Sequence, residues 1–286
     1  MKRTAILLIH CPDQPGLVAA VANYILARDG NIVSLEEHVD PDEGVFFMRA
    51  EWEISNFRLC ADEIGPDFDR SVARTFDMKW RVHFGDERVR LALFVSKLPH
   101  CLYDILARCE SGEWNAEVAF IASNHGFASA IASRFGIPFY AFDVQPSTRP
   151  EVEAAQLALV EQHGVDTVIL ARYMQILSPT LVQALPGRII NIHHSFLPAF
   201  PGARPYHSAH ARGVKIIGAT SHYVTEELDE GPIIAQDVTH VSHRDSVDDL
   251  VRKGRDLEKL VLARAVWSHC RREVLVHGRR TVVFGR

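Results

Sequence analysis

Gly85-Asp86-Glu87-Arg88-Val89-Arg90-Leu91-Ala92-Leu93-Phe94-Val95 is the stretch at which this chain changes its pattern. A glycine and three charged residues close one run of elements, and the apolar run from Val89 to Val95 opens the next as a buried strand. Downstream the spacing predicts a helix over 99–110, a strand over 116–122, a helix from 126 and a short strand at 138–142. A helix over 150–163 and strands at 165–170 and 188–192 follow. Strands alternating with helices in this way predict a doubly wound, mostly parallel sheet with helices on both faces, spanning residues 85–286. Strands at 215–225 and 232–238 and a long amphipathic helix over 246–271 complete it.

Upstream of the same stretch the order is different. Thr4 to Cys11 reads as a buried strand, and Leu17, Val18, Val21, Ile25 and Leu26 recur at helical spacing after the turn Asp13-Gln14-Pro15-Gly16-Leu17. Two strands, 31–39 and 44–54, flank the hairpin signal Asp40-Pro41-Asp42-Glu43-Gly44. A helical stretch over 56–74 and a strand over 77–84 give a βαββαβ order, the ferredoxin-like arrangement of an antiparallel sheet backed by two helices, over residues 1–84.

Composition narrows the function classes. At 286 residues and 47% hydrophobic content the chain can furnish two cores. A net charge of -5 with dispersed Lys and Arg argues against a nucleic-acid partner. The pairs Arg271-Arg272 and Arg279-Arg280 read as solvated surface or oligomer contacts. Met1-Lys2-Arg3 is followed by a strand that meets Asp13 and Pro15 too soon for a signal peptide. No segment approaches the roughly 18 apolar residues of a membrane span, so no membrane partner and a cytoplasmic location are expected. Cys11, Cys60, Cys101, Cys109 and Cys270 have no C-x-x-C spacing and an odd total, which predicts reduced, buried thiols with Cys101 and Cys109 on one helix. His193 and His194 point to opposite faces of an extended segment and lack a further ligand motif, so no metal is expected.

Chemistry concentrates in Asn191-Ile192-His193-His194-Ser195-Phe196-Leu197-Pro198 and in Leu228-Asp229-Glu230-Gly231-Pro232. Asn191 and His193 lie two apart at the end of the apolar run Ile189-Ile190, so an extended backbone points both to one face at the sheet edge where open α/β sheets keep their sites. A formyl carbon attacked by a nucleophile becomes tetrahedral and its oxygen gains negative charge; an amide and an imidazole N–H aimed at that oxygen lower the barrier. Asp229 could orient the imidazole and activate a water, provided the fold brings the two segments together. In isolation an Asn-x-His pair is more often a strand end with satisfied polar groups.

The context decides otherwise. Asn-x-His-x-Ser-x-Leu-Pro, the turn-rich stretch 200–205, Gly218-Ala219-Thr220-Ser221-His222-Tyr223-Val224 and Leu-Asp-x-Gly-Pro follow in one order. With them the chain resembles the folate-dependent formyltransferase family, and Asn-Ile-His-His-Ser-Phe-Leu-Pro-Ala-Phe is similar to the signature of its hydrolytic branch. The resemblance implies catalysis by Asn191, His193 and Asp229 and a folate pocket drawing on Met174, Ile176, Leu177, His222, Val224 and Glu226. It implies hydrolysis of 10-formyltetrahydrofolate to tetrahydrofolate and formate in one-carbon metabolism and purine biosynthesis, with the folate as substrate and no separate cofactor. The members that use glycinamide ribonucleotide hold its phosphate at a Gly-Ser-Asn turn after the first strand of this domain. Here that segment is Val95-Ser96-Lys97-Leu98-Pro99-His100-Cys101-Leu102, with no glycine and with a donor removed at Pro99. Water is therefore the expected formyl acceptor; an amine acceptor, or a sensor that has lost catalysis, are the rivals.

The Asp-x-Pro-Gly-Leu turn resembles that of the ACT domain, a regulatory module for small molecules. Gly16 lets backbone approach a ligand, and N–H groups at a helix N-terminus can receive a carboxylate, although Pro15 and Gly16 alone are simply a good helix start. The resemblance implies an amino-acid effector, glycine or methionine, bound through Asp13, Pro15, Gly16, Leu17, Asn31 and Ile32 where paired domains meet, and hence a homo-oligomer, dimer or tetramer.

Overall fold

The computed structural model describes residues 3–198 and 205–285 of the chain. It divides into two compact units, Met1–Glu87 with Arg271–His277 and Val282–Arg286, and Arg88–Cys270 with Gly278–Thr281. The second unit is thus not the unbroken span 85–286 expected from the sequence, because the C-terminal residues rejoin the first. Apart from Pro205, the stretch 200–205 lies outside the described residues.

In the first unit β1 (Thr4–Pro12), α1 (Leu17–Leu26), β2 (Asn31–Asp40), β3 (Val45–Glu53), α2 (Ala61–Ser71) and β4 (Lys79–Phe84) form an antiparallel sheet of order β2-β3-β1-β4. Alternation along β1 and β3 sends Leu7, Ile9, Met48 and Trp52 into the core with Leu17, Val21 and Ile25 of α1 and Phe68 of α2. The helix expected over 56–74 is shorter because Cys60 caps it: the Cys60 N–H donates to the Glu63 carboxylate, and Val72 leaves helical geometry before a 3-10 turn at Ala73–Phe76. Cys60 is consequently exposed, against the expectation of buried thiols; Cys11, Cys101 and Cys109 are buried and Cys270 is half-buried. No element is expected from the sequence beyond the last helix. Beyond it β12 (Val274–His277) and β13 (Arg280–Val283) form a hairpin, and Leu275 and Phe284 pack on Leu8 and Phe47, whose side chains alternate to the other face of the sheet from Leu7 and Ile9.

In the second unit seven strands are ordered β11-β10-β9-β8-β5-β6-β7. They are β5 (Val89–Val95), β6 (Ala116–Ser123), β7 (Phe139–Ala141), β8 (Thr167–Leu170), β9 (Ile189–His193), β10 (Ile216–Tyr223) and β11 (Ile233–His240). The five strands from β5 to β9 pair in parallel, and β10 and β11 add an antiparallel edge. The helices are α3 (His100–Glu110), α4 (Ala128–Arg134), α5 (Arg149–Gln162), α6 (Pro179–Ala184), α7 (Pro205–Arg212) and α8 (Val247–Cys270). The chain runs outward from β5 in both directions, through β6 and β7 on one side and β8 and β9 on the other. The loops after β5 and β8 therefore meet at the topological switch point. No helix among the described residues is long and apolar enough to cross a membrane.

Candidate active site

The loop that follows β8 is anchored at the switch point. Ser96, just after β5, accepts a hydrogen bond from the Met174 N–H at 3.0 Å and donates to Asn124 Oδ1 at 2.6 Å. A cavity of about 300 Å³ opens against this loop and is lined by Met174, Ile176, Leu177, His222, Val224 and Glu226. Asn191, His193, His194, Arg172 and Asp229 line it too. The fold thus brings every expected folate and catalytic residue to one place. Met174 and Ile176 stay largely exposed, whereas Leu177 and Val224 also pack on the sheet core.

Strand register builds the polar cluster. Asn191 and His222 are direct cross-strand partners of β9 and β10, so their side chains share a face, and Asn191 Nδ2 lies 3.2 Å from His222 Nε2. His222 Nδ1 donates to the Tyr223 carbonyl at 2.9 Å. The loop after β10 returns Asp229 to the same face, with Oδ2 3.2 Å from His193 Nδ1 and Oδ1 3.7 Å from His222 Nε2. Two features hold that loop. Tyr223 N–H donates to the Pro232 carbonyl at 2.9 Å, and Gly231 lies so close under the Tyr223 carbonyl that a Cβ there would be 1.8 Å from its oxygen. Asp229 itself takes a left-handed φ of 57°, tolerable for Asp. The hydrogen bond from His193, with a further contribution from His222, outweighs burial and holds the Asp229 carboxyl well below the usual carboxylate range.

Behind the catalytic face lies a second polar group that the sequence reading missed. Glu258 of α8 is buried and accepts hydrogen bonds from His100 Nε2 at 2.8 Å and the Tyr206 hydroxyl at 2.6 Å, with Arg172 Nε in ion-pair range at 3.4 Å. Burial disfavours its charge, but those partners prevail and hold the Glu258 carboxyl below its ordinary value. Cys101 is drawn into the same cluster; it has donor atoms within 4.8 Å of His100 and Glu258, while the Arg172 cation already faces that carboxylate. One local signal was available: an acid in the apolar stripe of α8, between Leu257 and Val261. Nothing local pairs it with His100 or Arg172.

The expected effector residues are placed apart. Gly16, with φ 95°, caps α1, and Leu17 beside it is a core residue. Thr4 and Asn31 both pair with Glu53, and Pro12 and Asp40 both pair with Val45, so Asn31 and Ile32 lie at the end of the sheet opposite the Asp13–Leu17 turn. The length of β1 separates them, about 27 Å at the usual rise per residue, so one chain does not join them into a single site.

A parallel switch-point sheet carrying an amide, an imidazole and a carboxylate over a cavity of about 300 Å³ defines the second unit as an enzyme of formyl-group chemistry. Residues 89–266 match the formyl transferase family model, and residues 5–66 match that of the ACT domain. The chain is 53% identical to a formyltetrahydrofolate deformylase of Synechocystis sp., an alignment covering 98% of each chain. A crystal structure of a formyltetrahydrofolate deformylase from Pseudomonas syringae pv. tomato superposes with a TM-score of 0.97 at 46% identity, covering 100% of this chain and 95% of that one. Glycinamide ribonucleotide transformylase 1 from Symbiobacterium toebii is 33% identical with a TM-score of 0.65, covering 70% of this chain and 96% of its own. The chain belongs to the formyltetrahydrofolate deformylase family.

Proposed function

We propose that this chain hydrolyses 10-formyltetrahydrofolate to tetrahydrofolate and formate, using Asn191, His193 and Asp229. The observation that carries this reading is the meeting of those three groups in the lining of one cavity. The Asn191 amide holds the formyl oxygen, and His193 donates to it as charge develops. Asp229, kept ionised, positions the water and takes its proton, and His193 then assists departure of the folate nitrogen. The folate is consumed as substrate, and the reading requires no cofactor.

The neighbourhood of α3 favours water over an amine acceptor. Where the related transformylases cradle a phosphate, this chain has His100 turned to a buried glutamate, with Arg172 and Tyr206 on the same carboxylate. Those donors are already committed to that carboxylate and are not free to hold a phosphate. The ACT unit supports an amino-acid effector, glycine or methionine. Because the two halves of the expected effector site lie at opposite sheet ends, that reading calls for pairing of copies in a dimer or tetramer. A cytoplasmic enzyme that balances one-carbon pools completes the proposal.

Formate release from 10-formyltetrahydrofolate in buffer free of amines, compared with His193→Ala, tests it. Release by the native chain and its loss in the variant are expected. Turnover only after an amine acceptor is added would make the chain a transferase.

A further inference from the structure

His194 is buried beside the catalytic histidine, and neither of its ring nitrogens has a hydrogen-bond partner among the described residues. Buried polar groups are nearly always satisfied by protein or by ordered water, so an imidazole with two idle nitrogens marks a place where something else binds. The setting says what. His194 lines the cavity shared by Asn191, His193 and Asp229, and its ring centroid lies 5.0 Å from that of His193, edge to face. His193 Nε2 is likewise buried without a partner among the described residues, while its other nitrogen faces Asp229. His194 lies just past the end of β9, so strand alternation no longer sets it on the face opposite His193, and the three idle nitrogens belong to two residues that both line this cavity. Burial first, then the charges of Arg172 and His193, push His194 down to about 4, so near neutral pH it carries one N–H and one lone pair. A ring in that form suits a water and does not suit an anion that needs a cationic partner.

On the hydrolytic reading above, we propose that His194 holds the attacking water, accepting one of its O–H groups so that an oxygen lone pair is aimed at the formyl carbon. Oxygen then bonds to that carbon, the second water proton passes to Asp229, and the C–N10 bond breaks as N10 takes a proton through His193. Formic acid leaves and loses its remaining proton to solvent. Nothing is oxidised or reduced, and His194 ends as it began. A side chain dedicated to water makes water the acceptor, so this residue sets the choice between hydrolysis and transfer.

The test compares native, His194→Ala and His194→Gln chains, measuring formate release and, with hydroxylamine added, formohydroxamate. Hydroxylamine is a small nucleophile that does not depend on a held water. In His194→Ala, kcat for formate is expected to fall about 100-fold with KM for the folate within about twofold, the signature of a lost transition-state contact. Hydroxamate formation stays within about threefold, and His194→Gln recovers part of the formate rate because an amide also binds water. Formate and hydroxamate falling in one proportion, or KM rising with kcat unchanged, would overturn the proposal. Should the alanine variant fail to fold, crystals of the native chain decide: an ordered water within hydrogen-bond distance of a His194 nitrogen is expected, and its absence is fatal. A native chain that releases no formate sinks the hydrolytic reading itself, whereas native release with unchanged variant partitioning sinks only the role of His194.

Discussion

The side-chain amide nitrogen of Asn191 lies 3.2 Å from Nε2 of its cross-strand partner His222. A carbonyl oxygen cannot donate, so the 2.9 Å contact of His222 Nδ1 with the Tyr223 oxygen puts a proton on Nδ1, and in the neutral ring Nε2 accepts from Asn191. The Asn191 amide is thereby fixed with its nitrogen toward His222, one N–H bonded and the other available to the formyl oxygen.

Removing this support should disorient the amide without emptying the pocket. In His222→Ala, kcat is expected to fall about 10- to 100-fold, with a smaller change in KM. Steady-state formate release checks it; an unchanged kcat would mean that Asn191 is oriented by other contacts.

Asp229→Asn separates chemistry from backbone. The left-handed φ of 57° at this position suits Asn as well as Asp, so the variant should fold, its melting temperature lowered only by the loss of the carboxylate's bonds to His193 and His222. Its hydrolytic rate should fall by about 10²–10⁴ with the loss of the base. Asp229→Ala would confuse the result by adding about 1 kcal/mol of backbone strain. Formate assays beside thermal unfolding distinguish the two effects.

Gly231→Ala should disrupt the loop that carries Asp229. Its Cβ would meet the Tyr223 carbonyl oxygen at 1.8 Å and the carbonyl carbon at 2.9 Å, and neither belongs to a flexible side chain. A destabilisation of about 3 kcal/mol is expected together with loss of activity. Gly126→Ala is the control, since nothing lies within 4 Å of its Cβ position and its φ is not positive. Equal denaturation midpoints for the two variants would refute the close approach.

Acid should destabilise the native chain partly through His194. Its ordinary value of 6.5 falls to about 4 in the folded chain, burial being the main cause. As pH drops through that window the unfolded chain binds a proton that the folded chain refuses, so stability falls, by up to about 3 kcal/mol at the acid end. Below it both states are protonated and this contribution no longer changes. In His194→Gln the dependence is absent, and its urea midpoint should decline less than that of the native chain between the two values. Parallel declines would show that the ring takes up protons as freely folded as unfolded.

Local pattern in the sequence determined most of the architecture. Thr4–Cys11, Val89–Val95 and the residues around Val168 are apolar runs closed by turn residues, and the helices between them show their periodicity, because such signals arise from neighbours a few positions apart. Helices α6 and α7, six and eight residues long, show no apolar periodicity in the sequence that sets them apart from the turns around them. The C-terminal hairpin was missed because its apolar side chains are explained only by the far sheet face they cover. Asn191 and His193 were legible together, since alternation puts residues two apart on one face. Asp229 was tied to them by motif alone, and its contact with His193 exists because the loop after β10 is folded back by Gly231 and Pro232. The bond between His100 and Glu258 joins residues 158 positions apart, and His222 reaches Asn191 only through the antiparallel register of β9 and β10. Such meetings depend on how packed elements are placed against one another, a global property with no local trace in the residues that meet.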